Sequence, residues 1–141
     1  MSQYQDLKDP QVIGGSAGPN SFANGRVFTK FCTMGVVTSR KWNDTYITIQ
    51  DGFVRLYDAD ETYRTNPANY VLEIFIGSRH ETSEPKAKDY SKNAYTPAVI
   101  HYVYLQINNG MWAPHRLLKI GTTDLATLNN IKKCIKTVAS A

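Results

Sequence analysis

Residues 42–57 read WNDTYITIQDGFVRLY, and this stretch decides the fold. Thr45, Ile47 and Ile49 point to one side of an extended chain, and Asp44, Tyr46 and Thr48 point to the other. That alternation marks a half-buried strand. Gln50-Asp51-Gly52 follows, and Asp-Gly between two strand-like runs is a hairpin signal because both residues tolerate positive φ. FVRLY then carries Val54 and Leu56 inward. Upstream, VFTKFCTMGVV (27–37) is rich in strand formers and reads as one long strand, with Gly35 marking a bulge or sharp bend. The polar break Thr38-Ser39-Arg40-Lys41 turns that strand into the next. Two hairpins in succession make a three-stranded antiparallel meander.

Outward from the meander, DADETYRTNPAN reads as a loop and YVLEIFIG (70–77) as a fourth strand. Leu72, Ile74 and Ile76 share one face of that strand; Val71, Glu73 and Phe75 share the other. Residues 78–97 form a long polar stretch, with Arg79, Lys86, Lys88 and Lys92 interleaved with Glu81, Glu84 and Asp89. Its composition predicts the most mobile interior segment. VIHYVYLQI (99–107) alternates cleanly, Asn108-Asn109-Gly110 turns the chain, and a last strand runs near Trp112 to Ile120. The period then changes. Leu125, Leu128, Ile131, Ile135 and Val138 recur at intervals of three and four, the apolar stripe of one helix. Gly121-Thr122-Thr123-Asp124 ahead of it offers a hydroxyl N-cap and an acidic first turn. At the other end, GGSAGPNS and ANG mark residues 1–26 as a flexible lead-in or surface arm, with the folded domain spanning 27–141.

The chain has 141 residues, 42% hydrophobic and 20% charged, which describes one ordinary globular domain and excludes a disordered one. No apolar run is long enough to span a membrane as a helix, and the first residues carry no secretory signal. Cys32 and Cys134 are too few for a disulfide framework. These features point to a soluble, cytoplasmic domain. Sixteen basic residues against twelve acidic give a net charge of +4, a mild excess compatible with anionic membranes, nucleic acid or acidic proteins and diagnostic of none.

The sequence resembles a pleckstrin-homology (PH) domain. The resemblance rests on Gly35-Val36-Val37, on Lys41-Trp42-Asn43-Asp44-Thr45-Tyr46-Ile47-Thr48-Ile49, on Asp51-Gly52-Phe53-Val54-Arg55-Leu56-Tyr57 and on the terminal helix, and it covers about residues 27–138. It implies a mainly β, PH-like barrel of two near-orthogonal antiparallel sheets, about seven strands, capped by a C-terminal amphipathic helix. It also implies binding rather than catalysis. The chain departs from inositide-binding members in having Thr45 where an arginine is common and Asp44 where a headgroup would be repelled. Thr127-Leu128 stand where the family's helix usually carries a tryptophan, which points to a divergent member.

Lys30, Arg40 and Lys41 are the candidate ligand-binding residues, three cations placed to converge at the mouth of the first hairpin on one phosphate or carboxylate. His80, His101 and His115 lack metal-ligand spacing, and no glycine-rich phosphate loop, nucleophile elbow or paired-carboxylate signature is present. No catalytic residue, metal or cofactor is called for. Trp42 reads as half-buried support for the first hairpin and Trp112 as an exposed turn aromatic. The leading expectation is a protein-interaction or adaptor module. The alternative is a peripheral membrane module that binds phosphoinositide or other anionic lipid weakly through the first hairpin. An unrelated barrel enclosing a small apolar ligand is a third class, and no nucleic acid is expected.

Overall fold

The protein is described by a computed structural model that places residues 14–16, 22–38, 41–90 and 99–140. In chain order the elements are β1 (Gly14–Ser16), β2 (Phe22–Thr33), β3 (Val36–Val37), β4 (Asn43–Gln50), β5 (Phe53–Tyr57), α1 (Asp60–Thr65), β6 (Leu72–Phe75), β7 (His80–Thr82), β8 (Lys86–Asp89), β9 (Val99–Ile107), β10 (His115–Thr122) and α2 (Leu125–Ala139). Seven strands run in the order β6-β5-β4-β2-β10-β9-β7, with β1 and β3 added to β2 and β8 added to β9. All pairings are antiparallel.

One cluster of buried side chains joins Val27 of β2, Ile47 and Ile49 of β4, Val54 and Leu56 of β5, Val103 and Leu105 of β9, and Leu118 and Ile120 of β10. Strands far apart in the sheet order reach the same core only because the sheet curls into a half-barrel. The α2 helix caps the opening with Leu128, Ile131, Cys134 and Ile135 fully buried in that cluster. This is the expected architecture: mainly β, antiparallel, capped by a C-terminal amphipathic helix. The stripe begins one turn later than expected, since Leu125 stays exposed. The cap is the Asp124 carboxylate rather than a hydroxyl. It accepts from the backbone N–H groups of Ala126 and Thr127 and from the Thr127 hydroxyl. The Thr127 bonds are the main reason its carboxyl titrates below the ordinary range.

Several local expectations give way to tertiary pairing. The ordered strand starts at Phe22, ahead of Val27, because Ala23 to Arg26 pair with Tyr46 to Ile49 of β4. The run 27–37 is a hairpin rather than one strand. Met34 and Gly35 both have positive φ (53° and 80°), and Val36 and Val37 fold back on Thr33 and Cys32. The Asp51-Gly52 turn has the same signature, as expected (54° and 84°). Inside the loop DADETYRTNPAN lies the short helix α1, held because Tyr63 packs on Tyr46 and Tyr57, with ring centroids 5.5 and 5.2 Å apart. The polar stretch 78–97 contains β7 and β8, both paired with β9; residues 91–98, including Lys92, lie outside the described residues.

The outward side of β2, β10 and β9 carries a second, small core. Phe28, Trp42 and Ile100 are fully buried there, with Tyr90 and Tyr102 packed against them. Trp42 is thus 1% exposed rather than half-buried, and its indole N–H donates to the Tyr90 hydroxyl at 2.9 Å. Gly121 makes room for the ring.

Candidate functional site

The site grows out of one strand register. Lys119 of β10 lies directly opposite Lys30 of β2 on one side and Tyr104 of β9 on the other. Leu118 and Ile120 fill the inner core, so alternation sends Lys119 outward. The Lys30 and Lys119 ammonium groups stand 5.0 and 5.1 Å from the centre of the Trp42 ring. Lys119 is also 4.0 Å from the Tyr102 ring, and the Arg116 guanidinium is 4.0 Å from the Tyr104 ring. From β8, Lys88 reaches 5.4 Å from the ring of Tyr90. Four cations therefore lie on an aromatic floor.

Electrostatics on this face run against the cations. Burial, then the charges of Lys30, Lys88 and Arg116, lower the Lys119 pKa to about 8. Burial and Lys88 push Lys30 down as well. Like charges directly opposite on neighbouring strands are destabilising. Each cation–ring contact returns only about 0.5–1 kcal/mol near the surface. Lys88, Arg116 and Lys119 form no ion pair among the described residues.

A second feature lies at one end of the same strands. The Met34–Gly35 turn sits beside the start of β10, where a Cβ on Gly35 would meet His115 Nδ1 at 3.2 Å. His115 pairs with Ile107, the last residue of β9, so the β9–β10 connection emerges at that same end. The two neighbouring tips expose Met34 (89%), Val36 (64%), Met111 (96%) and Trp112 (78%). Single exposed apolar residues are ordinary, but four on adjacent turns are a patch that calls for a use. Arg116 stands just behind them, and Arg79 is anchored there by its bonds to the Asn108 carbonyl oxygen.

The expected convergence of Lys30, Arg40 and Lys41 falls partly outside the described residues. Lys30 belongs to the cation–aromatic face, where burial and then the charge of Lys88 lower its pKa. Lys41 is exposed on the connection before Trp42. Arg40 lies outside the described residues. Asp44, expected to repel an anion, forms an ion pair with Arg26. Sequence reasoning missed Arg116 and Lys119. The available signal was the outward alternation of Tyr102 and Tyr104 beside Lys119 between Leu118 and Ile120; the register that stacks them was not readable.

Two partly open cavities border the start of β4: one of about 360 Å³ lined by Phe31, Trp42, Asn43 and Val71 among others, and one of about 370 Å³ that reaches Asp60 at the start of α1. Both are walled by Asp44 and Asp58, which does not suit an anion. Among the described residues no group of three or more histidine, cysteine or acidic side chains is placed to hold a metal ion. Burial raises the pKa of both thiols, Cys32 and Cys134. No helix among the described residues is long and apolar enough to cross a membrane. No family model matches the chain, and no curated protein or solved structure matches it.

Proposed function

We propose that the chain is a non-catalytic, PH-like binding module that docks by its two hairpin tips onto an anionic membrane surface. The observation that carries the reading is the meeting of Met34, Val36, Met111 and Trp112 at one end of the sheet, with Arg79 and Arg116 behind them. Tryptophan favours the membrane–water interface. Moving a Val or Met side chain fully out of water is worth about 1.5–3 kcal/mol, and each cation near an anionic leaflet adds about 1 kcal/mol. The apolar tips thus supply what Arg79 and Arg116 alone do not. Cysteines whose pKa is raised are unreactive thiols, which favours binding over catalysis. Two free thiols also fit a reducing, cytoplasmic compartment, where the anionic leaflet lies.

Vesicle sedimentation tests this. The wild-type chain is expected to sediment with vesicles containing phosphatidylserine and to be released partly, not fully, by salt. Met111→Ser/Trp112→Ser should weaken that binding by about tenfold or more, because the lost apolar transfer exceeds about 1.4 kcal/mol. Unchanged sedimentation of this variant sinks the reading.

The adaptor reading keeps one observation in its favour. β6 ends the sheet and pairs only with β5 among the described residues. It presents exposed Phe75 and neighbouring Val71, a setting in which a partner strand can add.

A further inference from the structure

We propose that the free edge of β6 is a self-association site, where a second copy of this chain pairs antiparallel about a two-fold axis at Ile74. The proposal rests on the β6 edge of the adaptor reading and names its occupant. It is independent of the membrane reading, since none of the tip residues belongs to β6.

The Asp51-Gly52 turn fixes which backbone groups of β6 face outward. Across a two-residue hairpin loop the flanking pair, here Gln50 and Phe53, exchanges hydrogen bonds. Val54 and Leu56 therefore turn theirs toward β6, opposite Ile74 and Leu72. The Ile76 N–H donates to the Gly52 carbonyl at 2.8 Å, in the same alternation. The N–H and C=O groups of Glu73 and Phe75 consequently point away from β5, and no other strand among the described residues meets them. Their neighbours along the edge are already engaged. The Val71 N–H donates to the Leu56 carbonyl at 2.8 Å, and the Gly77 N–H donates to His80 Nδ1 at 3.0 Å.

The occupant follows from what the edge presents. At the opposite side of the sheet β8 exposes Lys86 and Lys88, and lysines on an edge discourage a further strand. β6 has no lysine. Its one charge, Glu73, accepts from Arg55 Nε at 2.7 Å within the chain, so neither a basic nor an acidic partner strand finds an unmatched charge there. The rest is apolar. Phe75 and Val71 are 64% and 50% exposed on the Glu73 face, while Leu72 and Ile74 on the other face pack on the core and are only partly covered. A fitting strand brings aliphatics inward and no net charge outward, and β6 itself has that pattern.

One register satisfies both copies. A two-fold axis at Ile74 sets Glu73 opposite the partner's Phe75 and Ile74 opposite the partner's Ile74. Four hydrogen bonds then use every outward N–H and C=O of the two strands. Phe75 lies diagonal to the partner's Val71 and the partner's Phe75, within reach of an aromatic ring. Centring on Glu73 would oppose two carboxylates and need the engaged Val71 N–H. Centring on Phe75 would need the engaged Gly77 N–H.

The test follows the full chain by sedimentation equilibrium from about 10 μM to 1 mM. One short strand per copy buries less than the about 1,200 Å² of a stable interface, so the mean mass should climb toward twice that of the chain only in the upper part of this range. Phe75→Lys should weaken association by about tenfold or more while leaving vesicle sedimentation unchanged. In the wild-type chain, the amides of Glu73 and Phe75 should exchange about threefold more slowly at the top of the range than at the bottom, and the Ile74 amide should be protected throughout. In a Cys32→Ser background, oxidation should cross-link Ile74→Cys but not Phe75→Cys. Opposed non-hydrogen-bonded residues have Cα atoms about 4.5 Å apart, whereas the two Phe75 positions lie roughly 8 Å apart, beyond disulfide reach. A monomer at every concentration overturns the proposal. If its Glu73 and Phe75 amides exchange fast, the edge is open and the adaptor reading survives; if they are protected, the edge is covered and that reading falls too. Association unchanged in Phe75→Lys, or cross-linking through Phe75→Cys alone, also overturns it.

Discussion

Gly121 holds the outer core together by what it lacks. A Cβ built there would lie 2.8 Å from Ile100 Cγ2 and 2.9 and 3.0 Å from Trp42 Cη2 and Cζ3. Ile100 and Trp42 are both fully buried, so neither can swing into solvent to make room. Adding one carbon to such a site costs about 1–3 kcal/mol through forced rotamer and backbone shifts. For a chain of this size that corresponds to a fall in melting temperature of roughly 3–15 °C. The Gly121→Ala variant, unfolded by heat and by urea and followed by circular dichroism, should show that loss. Trp42→Phe removes the ring edge that the new methyl meets. The double variant should therefore be more stable than the sum of the two losses implies, with a coupling of about 0.5–3 kcal/mol. Gly110→Ala is the control. Nothing lies within 4 Å of its Cβ, but its φ is +73°. It should cost about 1–2 kcal/mol from backbone strain alone and show no coupling to Trp42. A neutral Gly121→Ala, or strict additivity with Trp42→Phe, would mean that the tryptophan does not pack over β10 and that the cation–aromatic face is misplaced.

Three further outcomes are expected. Ile131→Asp puts a charge into the interface between α2 and the sheet and should cost about 3–5 kcal/mol, whereas Lys133→Asp on the exposed side should stay within about 0.5 kcal/mol, both read by urea unfolding. Amides of residues 80–82 and 86–89 should exchange slowly with solvent, since they are paired to β9; exchange as fast as at Met111 would restore the loop reading. The stability of the wild-type chain relative to Lys119→Met should rise with pH from about 8 toward 10.5, because the unfolded chain holds the Lys119 proton through that range and the folded one releases it, whereas the raised thiols of Cys32 and Cys134 act in the opposite sense in both chains. Equal pH dependence of unfolding by urea in the two chains would refute the lowered Lys119 pKa.

The elements legible in the sequence were those whose local signals agree with their tertiary setting. Alternation in 43–50 and 99–107, the Asp51-Gly52 turn and the three-four spacing from Leu128 to Ile135 each match both the element and the buried face. The missed elements are held from outside. α1 has no side-chain N-cap at Ala59 and is six residues long; its support is Tyr63 stacked on two strands. β8 is exposed at every position, KAKD, and exists because β9 offers it an edge. The hairpin at Met34 hides because methionine is an unusual residue for positive φ.

The candidate surfaces were less legible than the fold, and register is the reason. Lys30 could be singled out as a cation, but its neighbours could not be named without knowing which strand lies beside it. Non-consecutive β2 and β10 are neighbours, and the pairing of Lys119 with Lys30 follows from that crossover alone. The same register fixes the core: Leu118 and Ile120 face α2 only when Lys119 faces out, and a slip of one residue would bury the lysine and expose both aliphatics. Core packing thus enforces the arrangement that brings two lysines onto one tryptophan. The fold supplies the energy that holds like charges side by side on neighbouring strands.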